Sequence, residues 1–72
     1  MSLRQALEQL SNDELEVIME EHMNWEETKS VPDGAQLRQL AIAHFSVDNA
    51  MEMDRVASEA FRVYALRAAG MR

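Results

Sequence analysis

The 72-residue chain contains no cysteine, and this absence excludes several kinds of chemistry. It rules out disulfides, thiol nucleophiles and thiolate metal ligands. Because a cysteine-free composition fits a reducing compartment, we expect a cytoplasmic protein. No run of residues approaches the roughly 18 apolar positions that a membrane-spanning helix needs. The first residues also lack the apolar stretch of a signal peptide, so we expect no contact with membranes.

Glycine and proline are almost absent, with only Gly34, Gly70 and Pro32. Two isolated glycines cannot form a loop that cradles phosphate groups. The five serines lie mostly at predicted helix starts, and none has the strand-turn-helix setting of a serine nucleophile. A domain this small also leaves little room for a substrate pocket of roughly 300 Å³ or more. We therefore predict that the chain is not an enzyme and uses no cofactor.

Positive charge is scarce in the first half of the chain. Residues 1–34 carry nine carboxylates against two cations, a net charge of −7, whereas residues 35–72 carry +1, which together give −6. An acidic chain lacks the basic surface of nucleic-acid-binding proteins. Residues 39–54 superficially resemble a helix-turn-helix, but Asp48, Glu52 and Asp54 in its second helix would face DNA phosphates. We therefore expect no direct DNA binding.

Helix signals, in contrast, recur throughout. Ser2 with Gln5, and Ser11 with Glu14, have the spacing of capping boxes that open helices. Residues 28–34, with the only proline, form the clearest break. Ser46, Asp48 and Asn49 are candidate N-caps of a long last helix, which Gly70 would close. The sequence predicts one all-α domain over 1–72, a small bundle of three to four helices at about 3–10, 12–27, 35–45 and 48–69.

Apolar residues form a stripe along each of the three longer helices when positions are placed about 100° apart. These amphipathic stripes predict a shared core. Its predicted members are Leu15, Ile18, Met19, Met23 and Trp25 in the second helix, Leu37, Leu40, Ala41 and Phe45 in the third, and Met53, Val56, Ala57, Ala60, Phe61 and Tyr64 in the fourth.

Two histidines fall within the apolar stripes. His22 and His44 each have an acid four residues later, Glu26 and Asp48, and such pairs are neighbours on a helix. Together the four side chains have the chemistry of a zinc site. The alternative, which we favour, is that both are histidines at the edge of the core without a metal. If both rings are buried and neutral, protonation below about pH 6.5 should destabilise the fold.

Acidic residues concentrate on one face of the first two helices, from Glu8 onward. Such a face has the charge to engage a basic groove on another protein. It can equally be a solvated face that keeps the chain in solution. The residues predicted to bind a partner are Glu16, Glu20, Glu21 and Glu27.

A few apolar residues lie outside the stripes. Several such residues on a small chain indicate a second packing surface, and this surface would support a homodimer. The residues predicted for self-association are Met51, Ala65, Leu66 and Ala69.

These observations favour a small acidic regulator or inhibitor that binds another protein through its acidic helical face. The composition is also common among phage and mobile-element accessory proteins. The main alternative is an assembly subunit that joins a larger complex through apolar residues of the last helix. A DNA-binding regulator and a metal-binding bundle are the third and fourth hypotheses.

Overall fold

A computed structural model describes residues 1–70 of the chain as four α-helices: α1 (Leu3–Glu8), α2 (Asn12–Thr28), α3 (Gln36–Phe45) and α4 (Ala50–Ala68). No strand occurs within those seventy residues. The predicted all-α bundle is therefore confirmed. Residues 71–72 of the predicted domain lie outside the described residues. Over the described range, no helix combines the length and apolarity that would let it cross a bilayer.

Both predicted capping boxes are present. The Ser2 hydroxyl accepts from the Gln5 N–H at 3.1 Å, and the Gln5 side chain accepts in return from the Ser2 N–H at 3.0 Å. Ser11 and Glu14 make the same reciprocal pair at 3.1 and 2.9 Å. Each box satisfies two backbone N–H groups that a helix start leaves without partners, so the starts of α1 and α2 are determined locally.

The start of α4 differs from the prediction. The Asn49 side chain accepts from the Glu52 N–H at 3.0 Å, so the helix begins at Ala50. The helix was predicted to begin at about residue 48, which is two residues too early; of the three candidate N-caps, Asn49 provides the cap. The Asp48 carboxylate instead lies 3.2 Å from Nε of Arg38.

A cap from another helix opens α3. Ala35 occupies the N-cap position and has no side chain that can accept a hydrogen bond. The carboxylate of Glu21 in α2 accepts from the backbone N–H groups of Gln36 and Leu37 at 3.2 and 3.0 Å. A negative charge at a helix N-terminus also interacts favourably with the helix dipole. Glu21 therefore joins α2 to the beginning of α3.

The helices α2 and α4 run antiparallel. Asn12 lies against Arg67 at 3.0 Å, and Glu16 against Tyr64 at 2.7 Å, so residue numbers rise along α2 as they fall along α4. Arg67 also donates to the carbonyls of Leu10 and Glu8 at 2.8 and 2.7 Å. These carbonyls lie at the end of α1, where helical partners are missing. Arg67 therefore fastens the α1–α2 turn to α4. The first helix ends at Glu8, two residues before the predicted end at residue 10.

The core confirms most of the predicted stripes and corrects two positions. Met23 and Phe61, both predicted to be buried, are each 60% exposed. Phe61 lies about 140° around the helix from Val56, whereas Val63 lies within about 20° of it, so Val63 faces the core. The buried residues are Leu7, Leu15, Ile18, Val31, Ala35, Leu37, Ala41, Met53, Val56, Ala57, Ala60 and Val63.

Candidate functional site

An open groove of about 500 Å³ lies between α2 and α4. It exceeds the pocket size of roughly 300 Å³ for which the length of the chain predicted little room. The exposed side chains of Met23 and Phe61 line its two sides, one from each helix. Ala57 and Ser58 also line the groove, and their short side chains leave a depression beside Phe61. Large apolar side chains gathered around a concave surface are typical of a binding site for a ligand or a protein.

His22 belongs to the groove lining and links its two helices. Its Nε2 lies 2.6 Å from a carboxylate oxygen of Asp54 in α4. On the other side of the ring, Nδ1 lies 3.8 Å from a carboxylate oxygen of Glu26. The predicted neighbour relation between His22 and Glu26 is therefore confirmed. Sequence reasoning missed Asp54, because the contact spans two helices and no local spacing indicates it.

The four candidate metal ligands do not come together. Asp48 pairs with Arg38, and Glu26 lies beside His22. Among the described residues, no group of three or more histidine and carboxylate side chains is arranged to hold a metal ion. His22 and His44 are both only half-buried. The condition for acid destabilisation, two neutral rings enclosed in the core, is therefore not met.

The four carboxylates predicted to bind a partner have different surroundings. Glu21 is half-buried and caps α3, as described above. Glu16 is exposed and accepts a hydrogen bond from the hydroxyl of Tyr64. This bond raises the pKa of Tyr64, because ionisation would remove the donated proton and place a second negative charge beside Glu16. Glu20 and Glu27 are exposed on α2. The acidic face therefore divides into one inward carboxylate and three outward ones.

The outward carboxylates lie on the α2 side of the groove. Glu20 and Glu27 are three residues before and four residues after Met23, and these spacings make them its neighbours on the helix surface. Glu16 is three residues before Met19, another residue of the groove lining, and is therefore its neighbour on the helix surface. We call Glu16, Glu20 and Glu27 the acidic rim.

The α4 side of the groove carries the carboxylate of Asp54, which is paired with His22, but no carboxylate beside Phe61. Its helical neighbours on the outer side are Ser58 and Ala65, three residues before and four residues after it. Both are small and exposed. The groove is therefore asymmetric, with the acidic rim along one side and, along the other, small neutral side chains and an Asp54 carboxylate that is already paired with His22.

The residues predicted for self-association do not form one patch. Met51 lies in the first turn of α4 and is exposed, whereas Ala65 and Ala69 are exposed near its end. Met51 and Ala65 are fourteen positions apart, or about 21 Å along the helix axis. Leu66 is partly covered by its neighbours, so it exposes only part of its apolar surface at that end. The structure brings Ala65 and Ala69 close to the same end of the helix, but it leaves Met51 at the other.

The groove and its acidic rim are the described features with the clearest binding chemistry. Comparison with known proteins adds no assignment: no family model, no curated protein and no solved structure matches this chain.

Proposed function

We propose that the chain is a small acidic regulator that binds another protein through the α2–α4 groove and the acidic rim. The observation that carries the proposal is the exposure of Met23 and Phe61 on facing sides of one groove. A partner that covers them removes apolar area from water, which stabilises a complex by roughly 25 cal/mol per Å² before the costs of association. The groove therefore supplies a centre for a protein interface.

The charge of the chain supports a basic partner. Residues 1–34 carry a net charge of −7, and the acidic rim lies within this segment. Opposite charges on two proteins steer their encounter and select against partners of like charge. Binding should consequently weaken as salt screens these charges. We place this interaction in the cytoplasm, in line with the cysteine-free composition.

The alternative of an assembly subunit has weaker support. It requires a continuous apolar surface on α4, and Met51 is far from Ala65 along that helix. Exposed Arg55 and Arg62 are spaced along the helix between these ends. This arrangement supports the groove over the outer face of α4 as the binding surface.

The proposal is tested by capturing the partner from the native host and measuring its affinity for two charge-matched variants. Glu20→Gln/Glu27→Gln neutralises two carboxylates of the acidic rim. Gln9→Lys/Ala43→Lys raises the net charge equally at exposed positions outside α2 and α4. If each rim carboxylate contributes about 0.7 kcal/mol, the first variant loses about tenfold in affinity at low salt.

The control variant should lose much less, and the first variant should also show a shallower dependence on salt. Equal affinities of the wild type and the rim variant at low salt would refute binding through the acidic rim. Equal losses in both variants would show that only the net charge matters, which also contradicts the proposal.

A further inference from the structure

We infer that the groove receives an amphipathic α-helix whose basic residues lie along one flank only. This inference rests on the proposed function and specifies the partner's chemistry at the same site. It follows from three properties of the groove: the helices that form it, the apolar side chains that line it and the charge on its two sides.

The backbone of the groove favours a helical occupant. Both walls are α-helices, whose interior N–H and C=O groups bond to one another. A strand that adds to a sheet edge obtains hydrogen bonds from that edge, and the described residues provide no strand. A bound segment therefore obtains few backbone hydrogen bonds from the groove, and a helix satisfies most of its own.

The lining favours apolar anchors at helical spacing. Met19 and Met23 lie one turn apart on α2, and Ala57 and Phe61 lie one turn apart on α4. An amphipathic helix inserts side chains at positions i, i+3 or i+4, and i+7 into such a groove. Methionine adapts its shape to the inserted side chain. The occupant therefore presents an aliphatic or aromatic stripe to the groove.

The different charges on the two sides of the groove determine which residues are favoured on each flank of the bound helix. The flank that lies over α2 meets the acidic rim, so lysine or arginine is favoured there. The other flank lies over Ser58 and Ala65, where small side chains permit close approach, and the Asp54 carboxylate on that side is already paired with His22. The net charge of −6 on each chain disfavours a second copy as the occupant, since like charges repel.

The test uses three synthetic peptides with the same leucine stripe. The first carries lysines on one flank, the second carries glutamates at those positions, and the third is the lysine peptide with two central prolines that prevent a helix. Binding is measured by calorimetry, peptide helicity by circular dichroism, and the contact surface by the methyl NMR signals of the methionines. We expect the lysine peptide to become helical on binding and to shift the signals of Met19 and Met23. We expect the other two to bind at least about tenfold more weakly, a difference of about 1.4 kcal/mol.

Three variants make the result specific. Phe61→Ser should weaken the lysine peptide by about tenfold, whereas Met51→Ser, at an exposed position on α4 away from the groove, should leave it unchanged. Glu20→Lys/Glu27→Lys should reverse the preference between lysine and glutamate peptides. Equal binding of these two peptides to the wild type, binding of the proline peptide with undiminished affinity, or signal shifts away from the groove would overturn the inference.

Failure of this inference is distinguishable from failure of the proposed function. If the native partner depends on Glu20 and Glu27 but no lysine peptide binds the groove, the helical occupant is wrong and the acidic surface stands. If the lysine peptide binds as described but the native partner ignores the acidic rim, the proposed function is wrong at that surface.

Discussion

Charged groups on two sides of this bundle have different surroundings. At the α1–α2 turn and the start of α3, Arg67 and Glu21 are half-buried and bond to backbone groups that helix ends leave without partners. Along the groove, Glu20 and Glu27 are exposed beside apolar side chains. Glu20 and Glu21 are adjacent in sequence and chemically identical. The comparison shows that a partner on a neighbouring helix, and not residue type, determines whether a charge stabilises the fold or is available for binding.

The largest expected contrast separates a buried apolar residue from an exposed one. Ile18 is fully buried, whereas Phe61 is 60% exposed. We expect Ile18→Ala to lower the free energy of unfolding by about 2–5 kcal/mol, because it leaves a cavity. Phe61→Ala should lower it by about 1 kcal/mol or less, even though it removes a larger side chain. Urea denaturation of both variants measures the difference. Similar losses would mean that the groove is part of the core and contradict the comparison.

A substitution at Arg67 tests whether the half-buried charged groups stabilise the fold. Arg67→Met keeps much of the apolar stem but removes hydrogen bonds to the carbonyls of Glu8 and Leu10 and to the side chain of Asn12. We expect the free energy of unfolding to fall by about 1–3 kcal/mol, because carbonyls at the end of α1 lose their donors. The matched control is Arg62→Met on the exposed face of α4, which should change stability by about 0.5 kcal/mol or less. If the two variants are equally stable, the guanidinium does not fasten the turn.

Glu20 and Glu21 sharpen the comparison at adjacent positions. Glu21→Ala removes the cap of α3, so we expect a loss of about 0.5–2 kcal/mol in the free energy of unfolding. Glu20→Ala removes an exposed carboxylate and should change it by about 0.5 kcal/mol or less. Amide hydrogen exchange at Gln36 and Leu37 provides a local readout, because their N–H groups lose the acceptor only in the first variant. Unchanged exchange in Glu21→Ala would contradict the capping role.

The smallest expected effect concerns Tyr64 at high pH. Because the pKa of Tyr64 is raised in the folded chain, chiefly by its hydrogen bond to Glu16, the neutral phenol stabilises the fold. This contribution is fully present below the unfolded value of about 10 and is lost as pH rises through the folded pKa. The stability advantage of the wild type over Tyr64→Phe should therefore shrink at strongly alkaline pH.

The chain has one tyrosine, so tyrosinate absorbance reports on Tyr64 alone. In the folded protein its titration midpoint should lie above that of free tyrosine, and Glu16→Gln should move it back toward that value. A midpoint that does not respond to Glu16→Gln would argue against the hydrogen bond.

The features that could be predicted from the sequence are those that depend on the spacing of residues within one helix. The capping boxes at Ser2 and Ser11 depend on residues three positions apart, so their pattern was readable and the starts of two helices were correct. The helical stripes likewise identified most of the core. The groove was missed because a 3.6-residue repeat places Phe61 near the edge of its stripe, and only the position of α2 decides whether that edge is covered.

Contacts between residues on different helices could not be predicted from sequence spacing. Glu21 caps a helix that begins fifteen residues later, and His22 meets Asp54 across 32 residues. Many carboxylates in the sequence have the chemistry to make these contacts, and spacing does not distinguish among them. The prediction therefore grouped Glu21 with Glu16, Glu20 and Glu27, and the tertiary arrangement separates it from them.

The central claim is that the exposed side chains of the groove, such as Phe61, serve binding and contribute little to folding. The most direct measurement is the affinity of the captured native partner for the wild type and for Phe61→Ser, with the free energy of unfolding determined for both. The account predicts at least about a tenfold loss of affinity with a change in stability of about 1 kcal/mol or less. Unchanged affinity, or a loss of affinity accompanied by unfolding of the variant, would contradict it.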